Sequence, residues 1–376
     1  MDLVAPKKDL LRLVSRCQGV ADKKSAMPVL ANVLLAAEGN ALRVSATDLY
    51  LSVHGQANAD VSKAGSVAVP AKDLLERIKA MPDGPVQITA KDGAQTILKA
   101  VGSPRRYTLH GMPGSDFPAL PKPAADAPSL ELPVDLLALL IARTHFSIST
   151  DETRAHVNSA LFEWSGDRVR MVTTDGHRLS KMEATVAGTE ATATMLVPLK
   201  AIAELRRLAD EARAEKEAST VAISQSGPNA FFRLAGTQFS VKLVDAQFPP
   251  YQQVIPALTD RSVRAPRASF ADALRAVSLA ASDRTGGVKL ALAEGTLRIT
   301  SESPESGNGF DEIGVEYSGP ELTIGFNARY FLDILGGLED DEIVLGISGE
   351  LDPAVLRPGV ESSQQSYVAV VMPMRI

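Results

Sequence analysis

Cysteine is almost absent from this chain of 376 residues, in which Cys17 stands alone. One thiol closes no intramolecular disulfide and builds no cysteine cluster for zinc or iron–sulfur; it is expected as a small buried apolar residue in a reducing cytosol. Long hydrophobic runs are absent too, since no uninterrupted apolar stretch approaches the roughly 18 residues of a membrane span. The start, Met1-Asp2-Leu3-Val4-Ala5-Pro6-Lys7-Lys8, lacks the basic region, apolar core and cleavage site of a signal peptide, so a cytoplasmic protein without a membrane partner is expected. The usual catalytic signatures are also missing: no phosphate-binding Gly-x-x-x-x-Gly-Lys-Ser/Thr, no Gly-x-Gly-x-x-Gly, no Gly-x-Ser-x-Gly and no His-Glu-x-x-His. His54, His110, His145, His156 and His177 are scattered without metal-ligand spacing, and no cofactor is expected. Positive charge is in deficit, with 39 Lys and Arg against 45 Asp and Glu and a net charge of −6. That balance ordinarily argues against nucleic acid, whose affinity comes from phosphate neutralisation. The field on one surface decides the matter, however, and the sum does not.

What the chain does have is repetition. Val67-Ala68-Val69-Pro70-Ala71-Lys72-Asp73-Leu74-Leu75, Leu196-Val197-Pro198-Leu199-Lys200-Ala201-Ile202 and Ile324-Gly325-Phe326-Asn327-Ala328-Arg329-Tyr330-Phe331 recur about every 128 residues. In each, a Pro or Asn stands where a helix would begin and apolar residues follow at helical spacing. A second set of amphipathic helices opens each unit, carried by Leu10, Leu13, Val14 and Cys17, by Leu136, Leu137, Leu140 and Ile141, and by Phe270, Leu274, Val277 and Ala281. Strand–turn–strand patterns follow over Val33–Ala46, Ala160–Thr173 and Val288–Thr300, turning at Glu38-Gly39-Asn40, Ser165-Gly166-Asp167 and Glu294-Gly295. Further strands are expected at Val86–Thr89, Val221–Ser224 and Ile343–Ile347. The reading is an α+β chain of three tandem domains, 1–122, 128–252 and 253–376, with helices on one face of curved antiparallel sheets. Pro118 to Pro133 is the linker expected at the first junction and Pro249 to Pro266 the second. Sheets of this kind leave edges at both ends of the array that must be covered or paired.

Two patterns bear on function. The first opening helix sets Lys8, Arg12 and Arg16 at four-residue steps, expected on one face opposite the apolar stripe, with Lys23 and Lys24 just beyond. Lys72 and Lys79, Lys200, Arg206 and Arg207, Arg275, Arg284 and Arg329 give other helices basic positions, and Arg105 and Arg106 form a pair in a turn. Ordinary solvated faces account for these as well as DNA does. The second pattern is Thr173-Thr174-Asp175-Gly176-His177-Arg178-Leu179. Either Asp175 orients His177 as a general base, or an Asp-Gly turn exposes His and Arg for recognition.

At this segment the chain resembles the bacterial sliding clamps, the beta subunits of DNA polymerase III. The resemblance spans the whole length and is carried by Thr174 to Leu179, by Lys242-Leu243-Val244-Asp245 with Phe248-Pro249 and Tyr251, by Tyr317-Ser318-Gly319 with Ile324-Gly325-Phe326-Asn327, and by Met372-Pro373-Met374-Arg375-Ile376. It implies a non-enzymatic protein whose three tandem clamp domains make half of a closed ring, completed by a second copy around non-specifically bound double-stranded DNA. The implied partners are the DNA polymerase III catalytic subunit, an ATP-dependent clamp loader, other polymerases, ligase and mismatch-repair proteins, each docking through a short hydrophobic motif. The pocket implied for that motif comprises Val157, Thr174, Gly176, His177, Arg178 and Leu179, then Pro249 and Val254, then Leu351 and Pro353, and finally Val370, Met372, Pro373, Met374, Arg375 and Ile376. The positions expected to bind DNA are Lys8, Arg12, Lys24, Lys72, Arg105, Arg106, Arg154, Lys200 and Arg207, of which Lys24, Lys72, Lys200 and Arg207 match basic positions of the family. Gln253 stands where better-known relatives carry a pocket arginine, and Ala155 and His156 where they carry two DNA-touching tyrosines.

Overall fold

The computed structural model describes every residue except 23, 92–93, 217, 283–285, 361 and 376, and gives only the backbone of 187–191. Lys23, Arg284 and Ile376 therefore lie outside the described residues. Six α-helices are described: α1 (Lys7–Gln18), α2 (Ala71–Ala80), α3 (Val134–Ala142), α4 (Leu199–Ala214), α5 (Arg267–Ser278) and α6 (Ala328–Gly336). Their apolar stripes are buried as the spacing requires, Leu10, Leu13, Val14 and Cys17 in α1 and Phe331, Ile334 and Leu335 in α6. Pro6, Pro70 and Pro266 immediately precede α1, α2 and α5 in extended or near-extended backbone, so each helix starts where a strand ends. At α6 Asn327 caps instead, its side-chain oxygen accepting the Arg329 N–H at 2.9 Å. None of the described helices is long and apolar enough to cross a membrane.

The opening helices do not open their units. A short strand comes first in each: Asp2–Pro6, Ser129–Pro133 and Arg261–Pro266. Each pairs antiparallel with the strand that follows the unit's second helix, namely Pro85–Ala90, Thr220–Ser226 and Glu342–Ile347. Both expected linkers are thereby shortened, because their last residues are ladder-bonded strands. Proline sits at the end of each, where the missing N–H costs no ladder bond. The expected hairpins at Gly39 and Gly295 form, with Ala41 opposite Glu38 and Ala293 opposite Thr296. In the middle unit, Ser159–Thr174 pairs with Arg178–Pro198, and the register breaks at Gly166, whose φ is +59°.

The chain has three repeats but two compact units. One comprises Met1–Leu137 and Ala203–Leu243, the other Ala138–Ile202 and Val244–Ile376. The reason is the sheet topology. In the first unit a nine-stranded sheet passes from repeat one into repeat two where Leu51–Asn58 pairs with Thr237–Lys242. In the second, a six-stranded sheet passes from repeat two into repeat three where Arg178–Pro198 pairs with Gln365–Val371. A five-stranded sheet in the first unit and a four-stranded sheet in the second stay within single repeats. Backbone ladders thus join successive repeats as they join strands within one.

Arg16 departs from the expected basic face. It is 3% exposed, its Nε donates to Glu211 Oε1 at 2.7 Å, and Nη1 donates to the Ala235 carbonyl at 2.9 Å and Thr237 Oγ1 at 3.2 Å. Those contacts tie α1 to the part of repeat two that lies within the first unit.

Candidate functional site

The Thr174–Leu179 segment is a tight turn between two long paired strands, and Asp175 is spent on building it. Its Oδ1 accepts the N–H of His177 at 2.9 Å and of Arg178 at 3.0 Å, and Oδ2 accepts Arg178 Nε at 3.1 Å. Thr174 Oγ1 donates to the Arg178 carbonyl at 2.7 Å and accepts the Gly176 N–H at 3.1 Å. Gly176 takes φ +93°, which a side chain would resist. The carboxylate therefore orients backbone, and His177 lies exposed with its ring stacked on Tyr330 at 6.4 Å between centroids. This favours the turn over the general base, with one correction: Arg178 is not offered to solvent. It is 9% exposed, donates to Asp333 Oδ2 at 2.6 Å and to the Phe146 carbonyl, and lies 4.7 Å from the Tyr330 ring centroid. Burial raises the Tyr330 hydroxyl pKa, and the Asp175 charge adds to the rise.

Repeat one carries the same turn, which the sequence reading above does not anticipate. Thr47 Oγ1 donates to the Leu51 carbonyl at 2.8 Å and accepts the Leu49 N–H at 3.0 Å; Asp48 Oδ1 accepts the N–H of Tyr50 at 2.9 Å and of Leu51 at 2.6 Å. The signal for it is Thr-Asp followed, four residues after the Thr, by a strand residue in both places. Glycine is replaced by Leu49, held at φ +77°.

Beside the second turn, within one compact unit, lies a hollow of about 130 Å³. Val157, Thr174, Gly176, Arg178 and Leu179 line it from repeat two, followed by Pro249 and Val254, with Val370 and Met372 from the end of the chain. Arg154 and Tyr251, outside the expected pocket set, also line it. The Arg154 guanidinium donates to the Asp175 carbonyl at 3.1 Å, and so reaches the turn. Leu179, Val370 and Tyr251 belong to a buried cluster with Leu161, Val172 and Leu196, which makes the floor apolar. Burial raises the Tyr251 hydroxyl pKa, and that hydroxyl bridges Arg170 and Glu163 at 3.3 Å each. Of the other expected pocket residues that are described, His177, Leu351, Pro353, Pro373, Met374 and Arg375 are not in this lining. Leu351 and Pro353 precede the strand Ala354–Pro358, whose Ala354 pairs with Val371. Pro373, Met374 and Arg375 follow the last strand, and this tail is held by Met372 N–H to the His177 carbonyl and Met374 N–H to the Gly325 carbonyl, both 2.9 Å. Gln253 is exposed at the end of the short turn Tyr251–Gln253.

The basic positions differ in how far their charge is already used. Lys8, Lys24, Lys72, Lys200, Arg105 and Arg106 are exposed. Lys72 lies 3.7 Å from Glu76, and Arg105 donates to the Ala80 carbonyl. Arg12 is paired with Asp9 at 3.2 Å. Arg207 is the most committed, 3.0 Å from Glu204 and 3.3 Å from Glu211, with a further bond to the Arg16 carbonyl at 2.9 Å.

Known proteins match this chain over its whole length. Residues 1–121 match the N-terminal domain of the DNA polymerase III beta subunit, 131–250 its central domain and 252–375 its C-terminal domain. The beta sliding clamp of Caulobacter vibrioides is 31% identical over 383 residues, covering all of both chains, and that of Pseudomonas aeruginosa is 31% identical over 379 residues with the same coverage. Among solved structures, the sliding clamp of Bartonella birtlesii bound to griselimycin superposes with a TM-score of 0.92 at 32% identity, covering all of both chains. Matched in sequence across three successive domains and in fold along its whole length, the chain belongs to the DNA polymerase III beta subunits, the bacterial sliding clamps.

Proposed function

We propose that the chain works as a non-enzymatic processivity factor: two copies close head to tail into a ring around duplex DNA, and the hollow beside Thr174–Leu179 receives a short apolar segment of each protein that rides on the ring. The observation that carries this reading is the hollow itself, an apolar floor of Leu179 and Val370 rimmed by Val254 and Met372, in a chain that matches sliding clamps along its whole length. Methionine and valine adapt to related side chains, which suits one site serving many partners. Those partners are the polymerase III catalytic subunit, an ATP-dependent loader, other polymerases, ligase and mismatch-repair proteins, in the cytoplasm at the nucleoid. The division into domains 1–122, 128–252 and 253–376 and the full pocket set belong to the same reading, as do the DNA-binding positions.

The strands Arg106–His110 and Gly307–Gly314 each end a sheet and offer edges for joining copies. The ring is tested by loading the protein on nicked circular DNA, washing in high salt and then linearising: retention on circles with release after cutting is expected, and equal retention on both forms would overturn it. The pocket is tested by anisotropy with a labelled apolar pentapeptide. Met372→Ala is expected to weaken binding about tenfold, in line with truncation of an interface anchor.

A further inference from the structure

The sheet continues past the hollow. On the paired strands Arg178–Pro198 and Gln365–Val371, Leu179 stands opposite Val370, Lys181 opposite Val368 and Glu183 opposite Ser366. Residues two apart share a face, so the row of Lys181 and Val368 lies about 7 Å beyond the hollow. A second cavity of about 400 Å³ opens there, lined among others by Lys181, Arg357, Val368, Ile255 and Val360. Ile255 packs on the apolar cluster that floors the hollow, while its neighbour Val254 lines the hollow. The two spaces thus share the Val254–Ile255 wall and one strand pair.

Their chemistry differs. Lys181 lies 3.5 Å from Glu183, but Glu183 is also 3.0 Å from both Arg168 and Arg170, so one carboxylate serves three cations. Glu163 and Asp167 are the other acids in this group, 3.8 Å from Arg170 and Arg168 respectively. Arg357 is half-buried on the cavity wall and has no acidic partner among the described residues. A guanidinium held partly out of water, with no carboxylate of the described residues beside it, favours an incoming carboxylate, which it can engage through two parallel hydrogen bonds. Val360, 76% exposed, gives the same cavity an apolar lip.

We propose that this second cavity receives the acidic continuation of the partner segment whose apolar residues fill the hollow, with Arg357 and Lys181 binding its side-chain carboxylates. The inference rests on the reading of the hollow as a peptide pocket. An extended chain covers the separation in two to three residues at about 3.3 Å each, so the acidic residues belong at that distance from the apolar anchor.

The test uses the 376-residue chain and three labelled peptides: the apolar motif alone, the motif followed by Gly-Asp-Glu-Asp, and the motif followed by Gly-Asn-Gln-Asn. At low salt the acidic extension is expected to bind at least fivefold tighter than either other peptide. The gain should vanish in Arg357→Gln and in Lys181→Met, and shrink in high salt, while the short peptide binds all three proteins alike. The peptide arms need no altered protein, so a misfolded variant does not decide the result. Equal affinity for acidic and neutral extensions, with the short peptide bound and sensitive to Met372→Ala, would overturn the second cavity and leave the hollow standing. Failure of the short peptide to bind would overturn the hollow reading and this inference with it.

Discussion

At the scale of single residues, the two copies of the Thr-Asp turn form an internal control. Both place a residue in left-handed backbone, Gly176 at φ +93° and Leu49 at φ +77°. A non-glycine residue there costs about 1–2 kcal/mol, and Leu49, 53% exposed, recovers little of that by burial. Leu49→Gly is therefore expected to hold or raise stability by up to about 1 kcal/mol, because relieved strain outweighs the added chain entropy of glycine. Gly176→Leu should lower it by about 1–2 kcal/mol. Urea denaturation measures both, and a marked drop in Leu49→Gly would show that the leucine side chain packs in a way its exposure conceals. Cys17 offers a second test. Burial pushes its thiol pKa from 9.0 up to about 12, with Arg207 and Arg16 pulling weakly the other way. The folded state thus favours the neutral thiol. That preference is fully present below pH 9 and is lost between pH 9 and pH 12, at about 1.4 kcal/mol per pH unit for this one group. Cys17→Ala should flatten this part of the alkaline unfolding curve, and the native thiol should resist alkylation at about pH 8.

At the scale of elements, the helices are legible in the sequence because their signals are local: apolar spacing, buried as expected, and a Pro or Asn at the starts. The strands preceding α1, α3 and α5 are not. Asp2–Pro6 and Ser129–Pro133 are five residues each with a terminal proline, and their assignment depends on a partner strand far along the chain, which periodicity cannot supply. The hollow is half legible for the same reason. The Thr174–Leu179 turn announces itself, while the approach of Val370 and Met372 is fixed by the Leu179–Val370 register, and resemblance alone points there. Arg16 shows the limit of helical spacing, since a four-residue step groups it with Lys8 and Arg12 although repeat two buries it. Breaking a buried pair of this kind costs about 3 kcal/mol. Because Glu211 also holds Arg207 at 3.3 Å, Arg16→Met is expected to cost somewhat less, about 2–3 kcal/mol in denaturant unfolding. Arg16→Met combined with Glu211→Gln should cost less than the two single changes together.

At the scale of the whole molecule, a net charge of −6 has to coexist with the DNA-encircling role proposed above, and that combination makes a specific claim about salt. Topology, not affinity, would keep the ring on DNA, so the cations facing the duplex need only be numerous enough to let it slide. Lys8, Lys24 and Lys200 are exposed, whereas Arg207 is held by Glu204 and Glu211. Removing one cation that neutralises a phosphate should reduce the slope of log affinity against log salt by about 0.9. For direct binding to short linear duplex, Lys24→Ala is expected to show that full reduction, and Arg207→Ala to leave the slope nearly unchanged because its charge is already neutralised. Both variants, once loaded, should remain on nicked circles in high salt as long as the parent protein does. A Lys24→Ala ring that slips from closed circles at high salt would mean that electrostatic affinity holds the protein in place, and the topological account would fail even with the peptide pocket intact.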